Sequence, residues 1–373
     1  MRIAVFYNLF FGGAKRVVFE HVKGLKNRGH IVDVYTTDGR EDLFDFSKVS
    51  DSFFKFKPEN NHYNSPIFKR LWKDIGVFYF LQFLHKKIAN IIDKKRYDIV
   101  LVHPDRDTQA PFILKYLQTP SVYYCEEPLR IVYDHALRFK DDVSFLNKLY
   151  EASTRYIRKK IDRENTRLAR YHLASCLHIR ERMIESYEVF PKVSYPGIDT
   201  FKFQPLKVKK RKQILFIGNK DVATDGYDLL QRSIEIIPLH IRPSVIIVSW
   251  KKNKKHRLSE TELVRLYNES VLSLCLGRLE TFGLVPLESM ACGIPVIATN
   301  VSGHRETIIS GKTGFLVDFE PTEIAHKIME LIKNPDLAFQ MGQKAQAHVQ
   351  KEWTWEKRVL ELELILKKWI EKK

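Results

Sequence analysis

The stretch Glu280–Thr299, ETFGLVPLESMACGIPVIAT, decides the fold of this chain. It follows an apolar run, SVLSLCL, that reads as a buried strand. Thr281, Phe282 and Gly283 make the turn out of that strand, and Leu284 to Cys292 reads as a short helix. Pro286 falls in the helix's first turn, where its missing N–H removes no intrahelical bond. Gly293 supplies a left-handed stop, and IPVIAT is the next strand. Strand, turn, helix and strand in succession is the unit of a parallel α/β sheet. Such sheets bind ligands beyond the carboxyl ends of their strands, and this turn stands there. The backbone N–H groups of Thr281, Phe282 and Gly283, leading into the helix at Leu284, suit an anion. Glu280 in the loop can reach a ligand hydroxyl or a developing positive charge. Glu288, inside the helix, can accept two hydrogen bonds from a cis-diol such as ribose. The competing reading makes both glutamates solvated surface charges.

The same rhythm runs outward in both directions. RIAVFY is a strand, and GGAKRVVFEHVKGLKNRGH is a helix with Val18, Val22 and Leu25 at helical spacing and Gly29 as its stop. With IVDVYTT after it, this is a βαβ unit. DIVLVH, PSVYYC, YHLASC and KVSYPG continue the strands. YPGIDTFKFQPLKVKKRKQ interrupts them with Pro196, Gly197, Pro205 and a basic run, after which ILFIG, SVIIVSW, SVLSLCL, PVIAT and GFLV resume. A last helix is expected from Glu356 to Ile370. The pattern predicts two Rossmann-like, doubly wound α/β domains, joined near residues 196–210, with a cleft where their strand ends face each other.

The composition supports this and narrows the ligands. A chain of 373 residues exceeds one compact core, and 44% apolar with 29% charged residues is ordinary for a globular protein. Lys and Arg number 62 against 45 Asp and Glu, a net +17. That excess points to phosphates, an anionic membrane surface or nucleic acid, or to no more than a basic, solvated surface. The basic runs KVKKRK and KKNKKHR carry no interleaved aromatics, so no nucleic-acid partner is expected. Cys125, Cys176, Cys275 and Cys292 form no CxxC pair and read as buried free thiols of a reducing compartment. Neither they nor the 13 histidines have metal-ligand spacing. The longest nearly apolar run, Ile75–Leu84, is too short for the ~20 residues of a membrane span. The amino terminus lacks an A-x-A cleavage pattern, so a cytoplasmic protein is expected.

The whole 280–299 stretch closely resembles the E-x7-E signature of the retaining glycosyltransferases of family 4, here Glu280, Phe282, Gly283, Glu288, Met290, Gly293 and Pro295. Gly12 and Gly13 resemble that family's first-strand glycine loop, SYPGIDTFKF its hinge-proximal segment, and NVSGHRETIISGKTGFLV its G-G-x-x-E run with Ser302 for the first glycine. The resemblance implies the GT-B fold: an acceptor-binding domain over residues 1–197, a donor-binding domain over 205–352, and a terminal helix, 356–373, crossing back to the first. It implies a metal-independent hexosyltransferase that takes a UDP- or GDP-linked sugar. Glu288 would hold the donor ribose, Glu280 the transferred sugar, and Gly13 the diphosphate. The acceptor would be a glycan or lipid-linked molecule of cell-surface synthesis.

Two departures stand out. The family's phosphate-clamping Arg and Lys are replaced, in FIGNKDVATDGYDLL after Gly218, by Asn219 and Asp225. Losing two charge-assisted bonds at ~1.5–3 kcal/mol each weakens donor binding by roughly two to four orders of magnitude unless something replaces them. Lys220 and the Lys251–Arg257 cluster are the candidates, the cluster equally a solvated loop. A GT-B-like binding protein that has lost donor chemistry is the alternative. In YYCEEPLR, Glu126 and Glu127 stand where relatives often carry His, and either act in catalysis or shape the turn before Pro128. His103 and Asp105, ending a strand, are weaker cleft candidates, and His103 and Arg130 are placed on the acceptor side. Finally, residues 65–95 interleave Phe68, Trp72, Phe78, Tyr79 and Phe83 with lysines. This is either a peripheral contact with the anionic inner membrane face or a core-packed helix pair with a basic exterior.

Overall fold

A computed structural model describes residues 1–37, 44–57, 70, 72–134, 144–249 and 258–371. The chain divides into two units, Met1–Tyr195 with Val359–Lys373, and Pro196–Arg358.

The first unit is built on β1 Arg2–Asn8, α1 Gly13–Asn27, β2 Ile31–Thr36, β3 Ser52–Lys55, α2 Val77–Lys94, β4 Ile99–Asp105, β5 Ser121–Cys125, α3 Phe145–Leu168, β6 Tyr171–Ala174, α4 Leu177–Tyr187 and β7 Lys192–Val193. Its sheet runs β3-β2-β1-β4-β5-β6-β7 with every pair parallel. Ile3, Ala4, Val5 and Phe6 are all fully buried. Burial of both faces is why these strands read as continuous apolar runs instead of alternating. The order reverses between β1 and β4, so the loops after those strands diverge and leave room above the sheet. The edge strand β3 was not anticipated: SFFK is short, and Ser52, Phe53 and Phe54 are only half-buried.

The second unit contains β8 Gln213–Ile217, α5 Tyr227–Ile236, β9 Ser244–Val248, α6 Glu260–Glu269, β10 Leu272–Cys275, α7 Leu284–Ala291, β11 Val296–Thr299, β12 Gly314–Val317, α8 Pro321–Lys333 and α9 Pro335–Glu352. The sheet order is β12-β11-β10-β8-β9, again all parallel. Its core joins Ile214, Phe216, Leu229, Leu272, Leu274, Ile297 and Ile328. Ser259 and Glu262 form a capping box at the start of α6, satisfying N–H groups that a helix start leaves open.

The last helix, α10 Trp355–Ile370, packs on the first unit from Val359 onward. Its buried Glu363 accepts from Arg28, from His30 Nε2 at 2.9 Å and from Lys367 Nζ at 2.7 Å. Trp369 stacks on Tyr171 at 4.6 Å. A Cβ on Gly24 would stand 2.6 Å from Val359, so α1 meets α10 at a glycine. Cys125, Cys176, Cys275 and Cys292 are all buried.

Candidate active site

In the second unit the site is assembled from the loops after β8, β10 and β11. Thr299, ending β11, donates its hydroxyl to the Gly277 carbonyl at 2.6 Å and so holds the exit of β10. Arg278 then ties that exit to the loop after β8. Its N–H donates to the Thr224 carbonyl at 2.7 Å, and its guanidinium to the Ala223 carbonyl at 3.0 Å and to both Asp228 oxygens at 2.7 and 2.6 Å. Gly226 permits the approach: its φ is +78°, and a Cβ there would lie 2.0 Å from the Leu276 carbonyl oxygen. The close approach excludes every side chain, and the φ disfavours all but glycine.

Glu280 follows on this anchored loop, half-buried, with Cγ 3.2 Å from where a Gly283 Cβ would stand. Gly283 caps α7 in the left-handed region, φ +82°. Against it lies the His304 ring, with Nε2 3.1 Å from the same point. Burial holds the His304 pKa down at about 4, so the ring is neutral. Its Nδ1–H donates to the Thr299 carbonyl at 3.0 Å, which leaves Nε2 as the unprotonated nitrogen facing the turn. Phe282 turns its ring into the core, 4% exposed and 5.6 Å from Trp353, so only its backbone can serve a ligand.

Glu288 is 3% exposed, and its Oε2 accepts from the Tyr267 hydroxyl of α6 at 2.9 Å. The solvated-charge alternative therefore fails for Glu288: α7 packs on its neighbours along the face that carries it. A buried carboxylate is sustained only by strong hydrogen bonds, and Tyr267 provides one that fixes its orientation.

The loop after β8 explains what Asn219 and Asp225 do. The Asn219 N–H donates to Asp225 Oδ2 at 2.7 Å, and the Asn219 side-chain oxygen accepts the Asp221 N–H at 3.1 Å. The two residues thus close the loop on itself. Gly218 lies against Phe216 and Asp225 in the same loop. Lys220 is exposed with its ammonium 5.4 Å from the Tyr227 ring centroid. The Lys251–Arg257 cluster lies outside the described residues.

In the first unit, Gly12 precedes α1 in extended backbone and Gly13 begins the helix. A Cβ on Gly12 would meet nothing within 4 Å, so protein packing does not demand that glycine. At the end of β5, Glu126 has a 14% exposed side chain whose Oε1 is enclosed, 4.0 Å from His103 Nδ1. Burial, then the neighbouring Glu127, push its pKa up to about 8, which makes it an uncharged acid at neutral pH. Glu127 is also raised by burial, against the pull of Arg130 3.8 Å away. Arg130 is shared with Asp134 at 3.3 Å.

Two cleft candidates of β4 are buried. His103 is fully buried, flanked by the Tyr124 and His21 rings at 5.0 and 5.4 Å. Enclosed within β4, it stands behind Glu126 in the core. Asp105 is a structural cap: it accepts from Asn8 Nδ2 at 2.9 Å and from the Asp107 and Thr108 N–H groups at 2.8 and 3.1 Å. Sequence reasoning missed Tyr267, Arg278 and His304. Only His304 had a signal, its place in the NVSGHRET run. Among the described residues no group of three or more His, Cys, Asp or Glu is placed to hold a metal ion.

The profile of Glycosyltransferase Family 4 matches residues 11–202, and that of Glycosyl transferases group 1 matches residues 253–348. N-acetyl-alpha-D-glucosaminyl L-malate synthase of Bacillus anthracis is 35% identical over 128 residues, 34% of this chain and 31% of that protein. Alpha-1,3/1,6-mannosyltransferase ALG2 of Rhizomucor pusillus is 23% identical over 93% of this chain and 87% of its own length. The first three curated relatives are matched over only 31%, 45% and 23% of their lengths. Among solved structures, sucrose-phosphate synthase from Thermosynechococcus elongatus superposes with a TM-score of 0.74 at 15% identity, covering 100% of both chains. Anabaena HepE in complex with UDP gives 0.69 at 16% identity, covering 99% of this chain and 100% of its own. These likenesses show the GT-B fold. With the family profile spanning residues 11–202, more than half of its length, the chain belongs to glycosyltransferase family 4.

Proposed function

We propose that this protein is a retaining glycosyltransferase that moves a hexosyl group from a UDP- or GDP-linked donor to a glycan or lipid-linked acceptor in cell-surface synthesis. The observation that carries it is the Glu280–Glu288 segment: a carboxylate on an anchored turn, a helix start beneath it, and a buried carboxylate oriented by Tyr267. In this reading the N–H groups from Thr281 to Leu284 and the positive end of α7 take the anionic part of the donor. Glu288 accepts from the ribose hydroxyls, and Glu280 holds the transferred sugar. Gly12 and Gly13 let backbone approach the diphosphate. Transfer needs no metal: the acceptor oxygen bonds to the anomeric carbon from the face the phosphate leaves, and the leaving phosphate oxygen takes the acceptor proton. Glu126, held by burial as an uncharged acid, can hydrogen-bond a sugar hydroxyl without repelling a phosphate.

Thermal unfolding with UDP, GDP, ADP and CMP, each with and without a sugar, tests this. A ligand at a hundredfold its Kd adds ~2.7 kcal/mol. One nucleotide raises the midpoint, and Glu288→Ala abolishes the rise. The internally closed Asn219–Asp225 loop favours a second reading, a GT-B protein that binds but no longer transfers. A chain that responds to no nucleotide fits that reading, or a donor outside this panel.

A further inference from the structure

Among the described residues, the outer face of α2 is left exposed. Tyr79 and Phe83 are 61% and 60% exposed, one turn apart, with rings packed edge to face at 4.8 Å. Lys86, Lys87, Asn90 and Lys94 continue the same exposed stripe to the helix end. Phe83, Lys86, Lys87, Asn90, Ile91 and Lys94 line a shallow groove along it. The opposite face is core: Phe78, Leu81, His85, Ile88, Ala89 and Ile92 are buried. The nearest acid on the helix, Asp93, is engaged elsewhere, accepting the N–H groups of Gln118 and Thr119 at 3.0 and 2.9 Å. Two adjacent exposed aromatics give the surface an apolar end, and three lysines give it charge.

We propose that this stripe of α2 seats the protein on an anionic lipid bilayer, with Tyr79 and Phe83 in the headgroup layer and Lys86, Lys87 and Lys94 on lipid phosphates. Charge complementarity selects this partner. The helix, 18 residues and so about 27 Å long, lies along the surface and does not cross it. Among the described residues no helix is long and apolar enough to span a membrane. Aromatic rings favour the interfacial layer, and lysines within a Debye length of an anionic surface are drawn to it. The face also deepens the proposed function, because a lipid-linked acceptor is met at such a surface. It does not depend on transfer chemistry.

Sedimentation of the full chain with vesicles tests this, comparing phosphatidylcholine alone with equal parts phosphatidylcholine and phosphatidylglycerol. Binding is expected only to the anionic vesicles, falling as salt rises. At ~1 kcal/mol per lysine, Lys86→Gln with Lys87→Gln lowers the partition about 30-fold. Tyr79→Ser with Phe83→Ser weakens it too, but leaves the steepness of the salt dependence unchanged. All four positions are exposed, and unchanged unfolding midpoints verify the fold. Equal binding to both vesicle types overturns the proposal, as does lysine-variant binding at the wild-type level. A solution dimer that Phe83→Ser dissociates, with no vesicle binding, assigns the face to a second copy and overturns it as well. Vesicle binding by a chain that answers to no nucleotide would sink the reading as a UDP- or GDP-dependent transferase and leave this one standing.

Discussion

Gly303 is where the architecture of the Glu280 turn can be tested by one methyl group. Its backbone is helical, φ −65° and ψ −20°, a conformation every residue adopts, so no strain argument requires glycine. Space does: a Cβ there would lie 2.3 Å from both the Cα and the carbonyl oxygen of Phe282 and 2.7 Å from its carbonyl carbon. Carbon atoms rest at about 3.5–4.0 Å, so Gly303→Ala must drive the two backbones apart by roughly 1 Å. Phe282 cannot yield cheaply, since its ring is buried against Trp353 and Gly283 behind it abuts His304. Overpacking of this kind costs about 1–3 kcal/mol, a drop of roughly 2–12 °C in the unfolding midpoint of a unit this size. The same displacement carries Glu280, two residues upstream, off its position, and a misplacement near 1 Å costs about 100-fold in rate. Midpoints with and without nucleotide, and initial rates of sugar transfer, are the assays. A Gly303→Ala protein with the wild-type midpoint and nucleotide response would refute the claim that this contact sets the turn.

The neighbouring residue gives the opposite sign. Ser302 holds φ +37° where a glycine costs nothing, so Ser302→Gly should raise stability by about 0.5–1 kcal/mol after the entropy of the freer chain is subtracted, read as a higher midpoint. Tyr267→Phe removes the hydroxyl on Glu288 and should cost about 1.5–3 kcal/mol, with a weakened nucleotide response. Gly12→Ala adds a methyl to empty space, so the midpoint should hold while the nucleotide shift shrinks. Stability should also form a dome in pH. Burial lowers His21 and His85 to about 3 and His304 to about 4. Unfolding therefore takes up protons below pH ~6.5, and each loses about 1.4 kcal/mol per unit of further acidification. Glu126 at about 8 and Asp162 at about 7, both raised chiefly by burial, bind protons in the fold that the unfolded chain releases. Their contribution offsets part of the acid loss and disappears as pH rises through those values. The midpoint should peak between about pH 6 and 7.5; a steady rise from pH 6 to 9 would show that Glu126 and Asp162 are not held protonated.

The strands were legible because parallel sheets bury both faces and print unbroken apolar runs, as in RIAVFY and ILFIG. SFFK was not, because an edge strand owes its place to β2 beside it and not to its own composition. The helix from Leu284 was legible from Pro286 and Gly293, whose backbone constraints are local; Gly293 indeed takes φ +71°. The glutamate spacing was legible as well, together with the Asn219 and Asp225 departures. What no local rule gave was the company these residues keep. Tyr267 lies 21 positions from Glu288, and Asp228 lies 50 from Arg278. His103 and Glu126 meet only because β4 and β5 are adjacent. Sequence alone thus determined the elements, their handed alternation and the family, since dihedral preferences and hydrophobic period act between near neighbours. The tertiary structure decided which charges are buried, which protons they keep and which glycines are there for space, because those depend on desolvation and contact between segments far apart in the chain.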